Sequence, residues 1–137
     1  MKCILGKDVS NALIGDKRVY LCGNLQNPSK LKHYETTGYE VGISRYSSFT
    51  CESAHYHATN TEYNYVLCGA VKVYIFDEEK EYLLSPGDMF IIEPNMTYIT
   101  KAIAGTDVLF SKVPGGNDKV LSPESEKKIA DWMKQWD

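Results

Sequence analysis

The 137-residue sequence predicts an all-β protein with one domain, a β-sandwich or small barrel that ends in a helix. Two observations predict this class. Short runs of β-branched and aromatic residues recur along the chain, and turn residues separate them. The spacing of apolar residues becomes helical only after residue 122. A chain of this length is long enough for one core and too short for two ordinary ones.

Nine segments are predicted to be strands, because they are rich in residues that favour extended structure. The segment 27–30, Asn-Pro-Ser-Lys, is predicted to be a turn or loop. The segment 85–88, Ser-Pro-Gly-Asp, has the proline and glycine positions of a type II turn. The predicted strands are 18–22, 38–46, 55–57, 63–68, 71–76, 81–84, 89–93, 98–102 and 108–113.

The C-terminal segment is predicted to be a loop followed by an amphipathic helix. Ser122 is a suitable capping residue, and Pro123 suits the first helical position. We expect the apolar stripe of this helix to pack either on the barrel or across a dimer interface. The stripe consists of Ile129, Trp132, Met133 and Trp136.

Charge and composition narrow the classes of partner. The net charge is −3 and no basic run is present, so nothing favours binding to nucleic acid or to an anionic membrane. No apolar run is long enough for a signal peptide or a transmembrane helix. Four widely spaced cysteines without a Cys-x-x-Cys pair indicate reduced thiols, and we expect a cytoplasmic protein.

His55, His57 and Glu62 form the most informative pattern in the chain. Residues two apart on a strand point to the same face, so both imidazoles would lie together. The four residues 58–61 allow a reversal, so that Glu62 would join them from an adjacent antiparallel strand. Two imidazoles and one carboxylate make an open site for a first-row metal.

The same alternation of strand faces predicts further residues of the pocket. Asn64 should share the face of Glu62, and Cys51 should share the face of His55. Aromatic residues are plentiful around these positions, so the pocket should be largely apolar with a few polar groups. That is the usual character of a small-molecule site.

Two motifs of the sequence resemble the motifs of the cupin superfamily. The first is the spacing of His55, His57, Glu62 and Gly69; the second is Pro86-Gly87-Asp88 followed by residues 91–94, Ile-Ile-Glu-Pro. The resemblance implies a single-domain jelly-roll β-barrel at 39–113. It leaves 1–38 as an N-terminal strand and loop extension and 114–137 as the loop and helix, all within one domain.

The chain departs from this family pattern at two positions. Phe49 stands where the first motif normally opens with glycine, and Tyr98 stands where cupins place a fourth metal-binding histidine. Tyr98 has three alternative roles: it ligates the metal as a phenolate, hydrogen-bonds to a metal-bound water, or fills the space of the absent ligand.

The resemblance implies three classes of function. The first is a metal-dependent enzyme acting on a carbohydrate or small carboxylate, with zinc, iron, manganese or nickel. The second is a metal-free sugar-nucleotide isomerase or epimerase that uses a histidine and tyrosine pair, although only Arg45 lies near the motif to hold a diphosphate. The third is a binding or sensing module without turnover. A homodimer is expected in each case.

Overall fold

The structure is a computed structural model that describes residues 1–27 and 29–137, so Pro28 of the predicted turn lies outside the described residues. The described chain contains strands β1 to β12 in this order: Arg18–Gly23, Tyr34–Glu35, Glu40–Tyr46, Thr50–Cys51, His55–His57, Thr61–Cys68, Val71–Ile75, Lys80–Leu84, Met89–Ile92, Tyr98–Ala102, Thr106–Val113 and Lys119–Leu121. Each predicted strand coincides with one of these to within two residues at either end.

Two sheets pack face to face as a jelly-roll barrel, which confirms the predicted fold class. The first sheet, sheet A, has the order β2-β1-β3-β11-β6-β9. The second, sheet B, has the order β12-β5-β10-β7-β8, with β4 paired to β10. Consecutive strands therefore often lie in different sheets, which lets residues close in sequence face each other across the interior.

The inner faces of both sheets form the main core. Its buried side chains alternate along the strands with exposed ones, as expected for sheets with one solvated face. Buried valines on three strands are typical members: Val66 on β6, Val73 on β7 and Val108 on β11.

Two glycines of the predicted motifs lie in turns whose backbone conformation would be strained with any other residue. Gly69 has a φ of 79°, and a Cβ there would overlap Thr106. Gly87 has a φ of 94° in the turn where the Asp88 amide donates to the Ser85 carbonyl at 3.0 Å. Both positions favour glycine because its missing Cβ permits the left-handed region.

Helices lie at the two ends of the chain. Helix α1 (Gly6–Ala12) packs on a second, smaller core that includes Leu13, Val19 and Leu31. At the other end α2 (Pro123–Glu126), a 3₁₀ turn (Lys127–Ile129) and α3 (Ala130–Lys134) replace the single predicted helix. Pro123 is at the start as predicted, but the Ser122 side chain makes no capping hydrogen bond to the backbone. None of the described helices is long and apolar enough to cross a membrane.

The C-terminal segment packs on the outer face of its own sheet B, the first of the two predicted alternatives. The ring of Trp132 lies 6.0 Å from that of Tyr74 on β7. Lys101 on β10 is only 2% exposed, and its ammonium donates to the carbonyls of Trp132 and Gln135 at 2.8 Å each. The same ammonium lies 4.0 Å from the centre of the Trp132 ring.

Candidate functional site

The candidate site lies where β5 and β10 of sheet B face β6 of sheet A. His55 and His57 both point to the interior and are 6% and 3% exposed. Glu62 enters from the opposite sheet. The prediction that these residues lie on adjacent strands of one sheet is therefore wrong. Residues 58–60 cross between the sheets, so the three side chains meet across the barrel.

The hydroxyl of Tyr98 lies at the point where these three side chains converge. Tyr98 on β10 pairs in register with His55 on β5, which brings the two rings together. Its oxygen is 2.9 Å from Nε2 of His55, 3.5 Å from Nε2 of His57 and 3.3 Å from Oε1 of Glu62. A single hydroxyl hydrogen is thus surrounded by three groups able to accept it.

The partners of the two Nδ1 atoms determine how each imidazole presents its other nitrogen. The His55 Nδ1–H donates to the Ser53 carbonyl at 2.7 Å, because a carbonyl can only accept. Its Nε2 therefore carries the lone pair that accepts from Tyr98. The His57 Nδ1–H donates to Oδ1 of Asp118 at 2.8 Å. Both Nε2 atoms are thus directed at the centre of the site.

Asp118 also holds the crossing between the two sheets. Its second oxygen accepts hydrogen bonds from the amides of Thr59 and Asn60, both at 2.7 Å. Burial alone would raise the pKa of Asp118, but these amide bonds and the one from His57 lower it to about 2. Asp118 lies 61 residues from His57, and no local pattern in the sequence pointed to it.

The acidic and basic groups of the site have pKa values that differ from their ordinary ones. Burial lowers the pKa of His55 to about 4, so its imidazole is neutral. Burial would also lower the pKa of His57, but the hydrogen bonds to Glu62 and Asp118 outweigh it and raise that pKa. Burial would raise the pKa of Glu62, yet its bond with His57 brings it to about 2.

The facing atoms of His57 and Glu62 require a positive charge between them. Nε2 of His57 is 3.3 Å from Oε2 of Glu62, and both atoms are acceptors when the imidazole is neutral. A proton on Nε2 or a metal ion would satisfy both. Tyr98 cannot supply this charge, because a phenol is either neutral or negative. Burial raises its pKa well above 10, so its hydroxyl stays neutral.

The other two pocket residues predicted from strand alternation have different positions. Asn64 is buried and donates to Oε1 of Glu62 at 3.1 Å, which orients that carboxylate. Cys51 does not line the cavity; it pairs with Lys101, whose side chain contacts the C-terminal segment on the outer face. The prediction for Cys51 is wrong because residues 52–54 leave the strand, and the alternation from His55 does not extend across them.

A cavity of about 720 Å³ opens from this site toward the rim of the barrel. Arg18 on β1 lines it, although Arg18 was not among the predicted site residues. Arg45 instead makes two hydrogen bonds to Asp107, at 2.9 and 3.0 Å, and does not line the cavity. Val19 and Leu21, the apolar neighbours of Arg18, pack toward helix α1 rather than toward the barrel interior.

The chemistry of the donor set fits a divalent metal. Two imidazole Nε2 atoms and an ionised carboxylate suit zinc, iron, manganese or nickel. The Nδ1 contacts with Ser53 and Asp118 are of the kind that orients metal-bound histidines. Within residues 1–27 and 29–137, no three His, Cys, Asp or Glu side chains lie in an arrangement ready to hold an ion. Metal binding therefore requires these side chains to close in and the Tyr98 hydroxyl to move or join them.

Comparison with known families agrees with the fold and the motifs. The model of the cupin domain matches residues 50–110, which include both histidines, Glu62 and Tyr98. Together with the jelly-roll barrel, this match supports the resemblance to the cupin superfamily. No curated protein matches the sequence.

Solved structures with the same fold include proteins that are named for different activities. KdgF from Halomonas sp. is 20% identical with a TM-score of 0.58, covering 74% of this chain and 80% of that one. The DMSP lyase DddQ from Ruegeria pomeroyi is 14% identical with a TM-score of 0.60, covering 77% and 50%. The polyketide cyclase RemF from Streptomyces resistomycificus is 14% identical with a TM-score of 0.56, covering 71% and 72%. At these identities the likeness establishes the fold alone.

Proposed function

We propose that this protein is a metal-binding cupin that binds a carbohydrate or small carboxylate in the barrel and acts on it as a metal-dependent enzyme. His55, His57 and Glu62 would hold the ion. The observation that carries the proposal is their convergence within 3.5 Å of one point, with both Nδ1 atoms already engaged. The similar structures named as a lyase and a cyclase support chemistry on small molecules in this fold.

A bound ion would supply Lewis-acid polarisation of a substrate oxygen. The residues of the chain prepare the rest of the site. Asn64 keeps the Glu62 carboxylate directed at the centre. Asp118 balances the positive charge around His57. Tyr98, as a neutral phenol, offers a hydroxyl that can donate to or accept from a substrate oxygen at the centre.

A second candidate function uses no metal. The hydroxyl of Tyr98 is 2.9 Å from Nε2 of a neutral His55, which is the geometry of an acid–base pair. Such a pair would suit a sugar-nucleotide isomerase or epimerase. In that case a proton on His57 would take the place of the metal beside Glu62. A cupin that binds or senses a ligand without turnover would use the same pocket.

Metal titration distinguishes the first candidate from the second. Protein stripped with a chelator and dialysed should bind one equivalent of zinc, manganese, nickel or ferrous iron, measured by calorimetry and by competition with a chromogenic chelator. The metal-free acid–base site predicts no stoichiometric binding of any of these ions. Binding of an ion without turnover of any sugar or organic acid would favour the sensing module.

Replacing Tyr98 with phenylalanine should leave metal affinity within about threefold of wild type and weaken ligand binding or activity at least tenfold. The physical reason is that the variant removes only a hydroxyl. A neutral phenol is a poor metal ligand, and the high pKa of Tyr98 disfavours its ionisation to a phenolate. Tyr98→His should tighten metal binding by adding a third imidazole as a fourth ligand. Metal loss in Tyr98→Phe, or a strong visible phenolate-to-metal absorption in the wild type, would show instead that Tyr98 is a ligand.

We also propose a homodimer that forms through the outer face of sheet A. Strands β6 and β9 expose an apolar patch there, and β9 is the end strand of the sheet. Cross-strand pairing places its members side by side, and such contiguous apolar surface is typical of interfaces. The patch consists of Tyr63, Tyr65, Leu67, Met89 and Ile91.

A cytoplasmic location is likewise proposed, because four unpaired cysteines suit a reducing compartment.

The double substitution Met89→Lys, Ile91→Lys should convert the dimer to a monomer, because it places four charges in a symmetric apolar interface. Sedimentation velocity measures the result. Leu83→Lys is the matched control, since Leu83 is 59% exposed on sheet B, away from the patch, and its replacement should leave the dimer intact. A wild-type monomer at all concentrations, or a dimer that survives the double substitution, would contradict the proposed interface.

A further inference from the structure

Arg18 lines the cavity from β1 and remains exposed to solvent. It lies opposite Ser44 on the inner face of sheet A, and its Nε donates to Oγ of Ser44 at 3.1 Å. The guanidinium carbon lies 4.8 Å from the centre of the Phe110 ring. These two contacts fix the plane of the guanidinium. No other hydrogen bond or ion pair engages Arg18 among the described residues, so its two terminal nitrogens are available to a ligand in the cavity.

The other charged groups of the cavity largely neutralise one another. Lys17 pairs with Glu52 at 3.1 Å, and Lys112 pairs with Glu40 at 3.3 Å. At the rim Lys30 pairs with Asp16 at 2.9 Å. Within the described part of the chain, these pairs leave three cations of the cavity wall without a carboxylate partner. One of them, Lys101, directs its ammonium to the carbonyls of Trp132 and Gln135 on the outer face.

The two other unpaired cations are Arg18 on β1 and Lys119 on β12. Burial lowers the pKa of Lys119; the charge of Glu52 opposes this shift, and the charge of Arg18 adds to it. Lys119 lies directly opposite His57 in the pairing of β12 with β5. The cavity therefore has a positively charged region beside the histidine site.

We propose that this region binds the carboxylate of a small organic acid, with Arg18 as the principal contact and Lys119 as the second. This inference rests on the proposed function and narrows its substrate class to acids. A guanidinium with a fixed plane and two free terminal nitrogens matches the two oxygens of a carboxylate. The remainder of the molecule would then extend toward Tyr98 and His55, where the reacting group would lie.

The position of Arg18 in the cavity has a different explanation. Burial alone would lower the pKa of Arg18, but the charges of Glu62 and Glu52 act on it at longer range and help to raise that pKa. In that case Arg18 would balance the charge of the cavity and bind no ligand. The two explanations differ in one measurable property, which is the preference of the cavity for an acid over a neutral molecule of the same shape.

The test compares matched ligands by calorimetry and thermal shift at constant ionic strength. The probes are glucuronate against glucose, lactate against lactamide, and inorganic phosphate. We expect at least one acid to bind tenfold more tightly than its neutral counterpart and more tightly than phosphate. Arg18→Gln should remove that preference, Lys119→Gln should reduce it several-fold, and Arg45→Gln, the matched control outside the cavity, should leave it unchanged.

Arg18→Lys serves as a second variant in case Arg18→Gln misfolds. It keeps the positive charge but loses the paired terminal nitrogens of the guanidinium, so it should weaken acid binding less than Arg18→Gln does. The proposal is overturned if no acid is preferred, if Arg18→Gln keeps the preference, or if phosphate binds best. Repeating the titration on His55→Ala, His57→Ala protein separates the two proposals. Acid preference that persists in a variant without metal would support the Arg18 subsite whatever the outcome for the metal.

Discussion

Replacing both His55 and His57 with alanine is expected to abolish metal retention and leave the barrel folded. Two of the three proposed donors are then gone, and a lone carboxylate is a weak site for a transition metal. The fold should persist because the main core is formed by apolar side chains of both sheets, in which the two histidines take no part. Elemental analysis and circular dichroism measure the two outcomes.

His33→Ala is the control for this experiment, because His33 is the one remaining histidine of the sequence and does not line the cavity. It should retain the same metal content as the wild type. A double variant that keeps one equivalent of metal would show that the ion is held elsewhere. A double variant that unfolds would be replaced by His55→Gln, His57→Gln, which preserves size and hydrogen bonding.

Deleting residues 123–137 is expected to lower the melting temperature by about 10 °C. The deletion exposes the outer face of sheet B that Trp132 and Trp136 now cover, a loss on the order of 3 kcal/mol. It also removes the Glu126 carboxylate, which accepts from the Ala54 amide at 2.8 Å just before β5. We therefore expect the histidine strand to loosen together with the sheet face.

Lys101→Met isolates the polar part of this contact. It keeps an unbranched side chain of similar length but loses the donors to the Trp132 and Gln135 carbonyls and the charge over the Trp132 ring. Its melting temperature should fall by several degrees, whereas Lys134→Ala, on the exposed side of the same segment, should be neutral. An unchanged melting temperature in both the deletion and Lys101→Met would contradict the proposed stabilising role.

The sequence predicted most strands and the inward direction of His55 and His57, because alternation and turn residues are local properties. It did not predict which strands share a sheet. Glu62 follows His57 by five residues, yet the crossing at 58–60 places it in the opposite sheet. The direction of Cys51 failed for a related reason: alternation ends wherever a strand ends.

The residues missed by sequence reasoning are those whose role depends on distant contacts. Asp118 contacts His57 from 61 residues away, and Arg18 reaches the cavity from the first strand of the barrel. Helix α1 was missed because it is short and is stabilised by packing on Val19 and Leu31 rather than by its own sequence. Such contacts follow from the fold and have no local signature.

Anomalous diffraction from crystals of the metal-loaded protein tests whether His55, His57 and Glu62 hold the ion. Data collected on both sides of the absorption edge of the ion locate the metal and identify its ligands in one measurement. We expect a single anomalous peak bonded to Nε2 of His55, Nε2 of His57 and the Glu62 carboxylate, with the Tyr98 hydroxyl displaced from the centre. A peak at any other position, or an unoccupied centre in protein soaked with saturating metal, would contradict it.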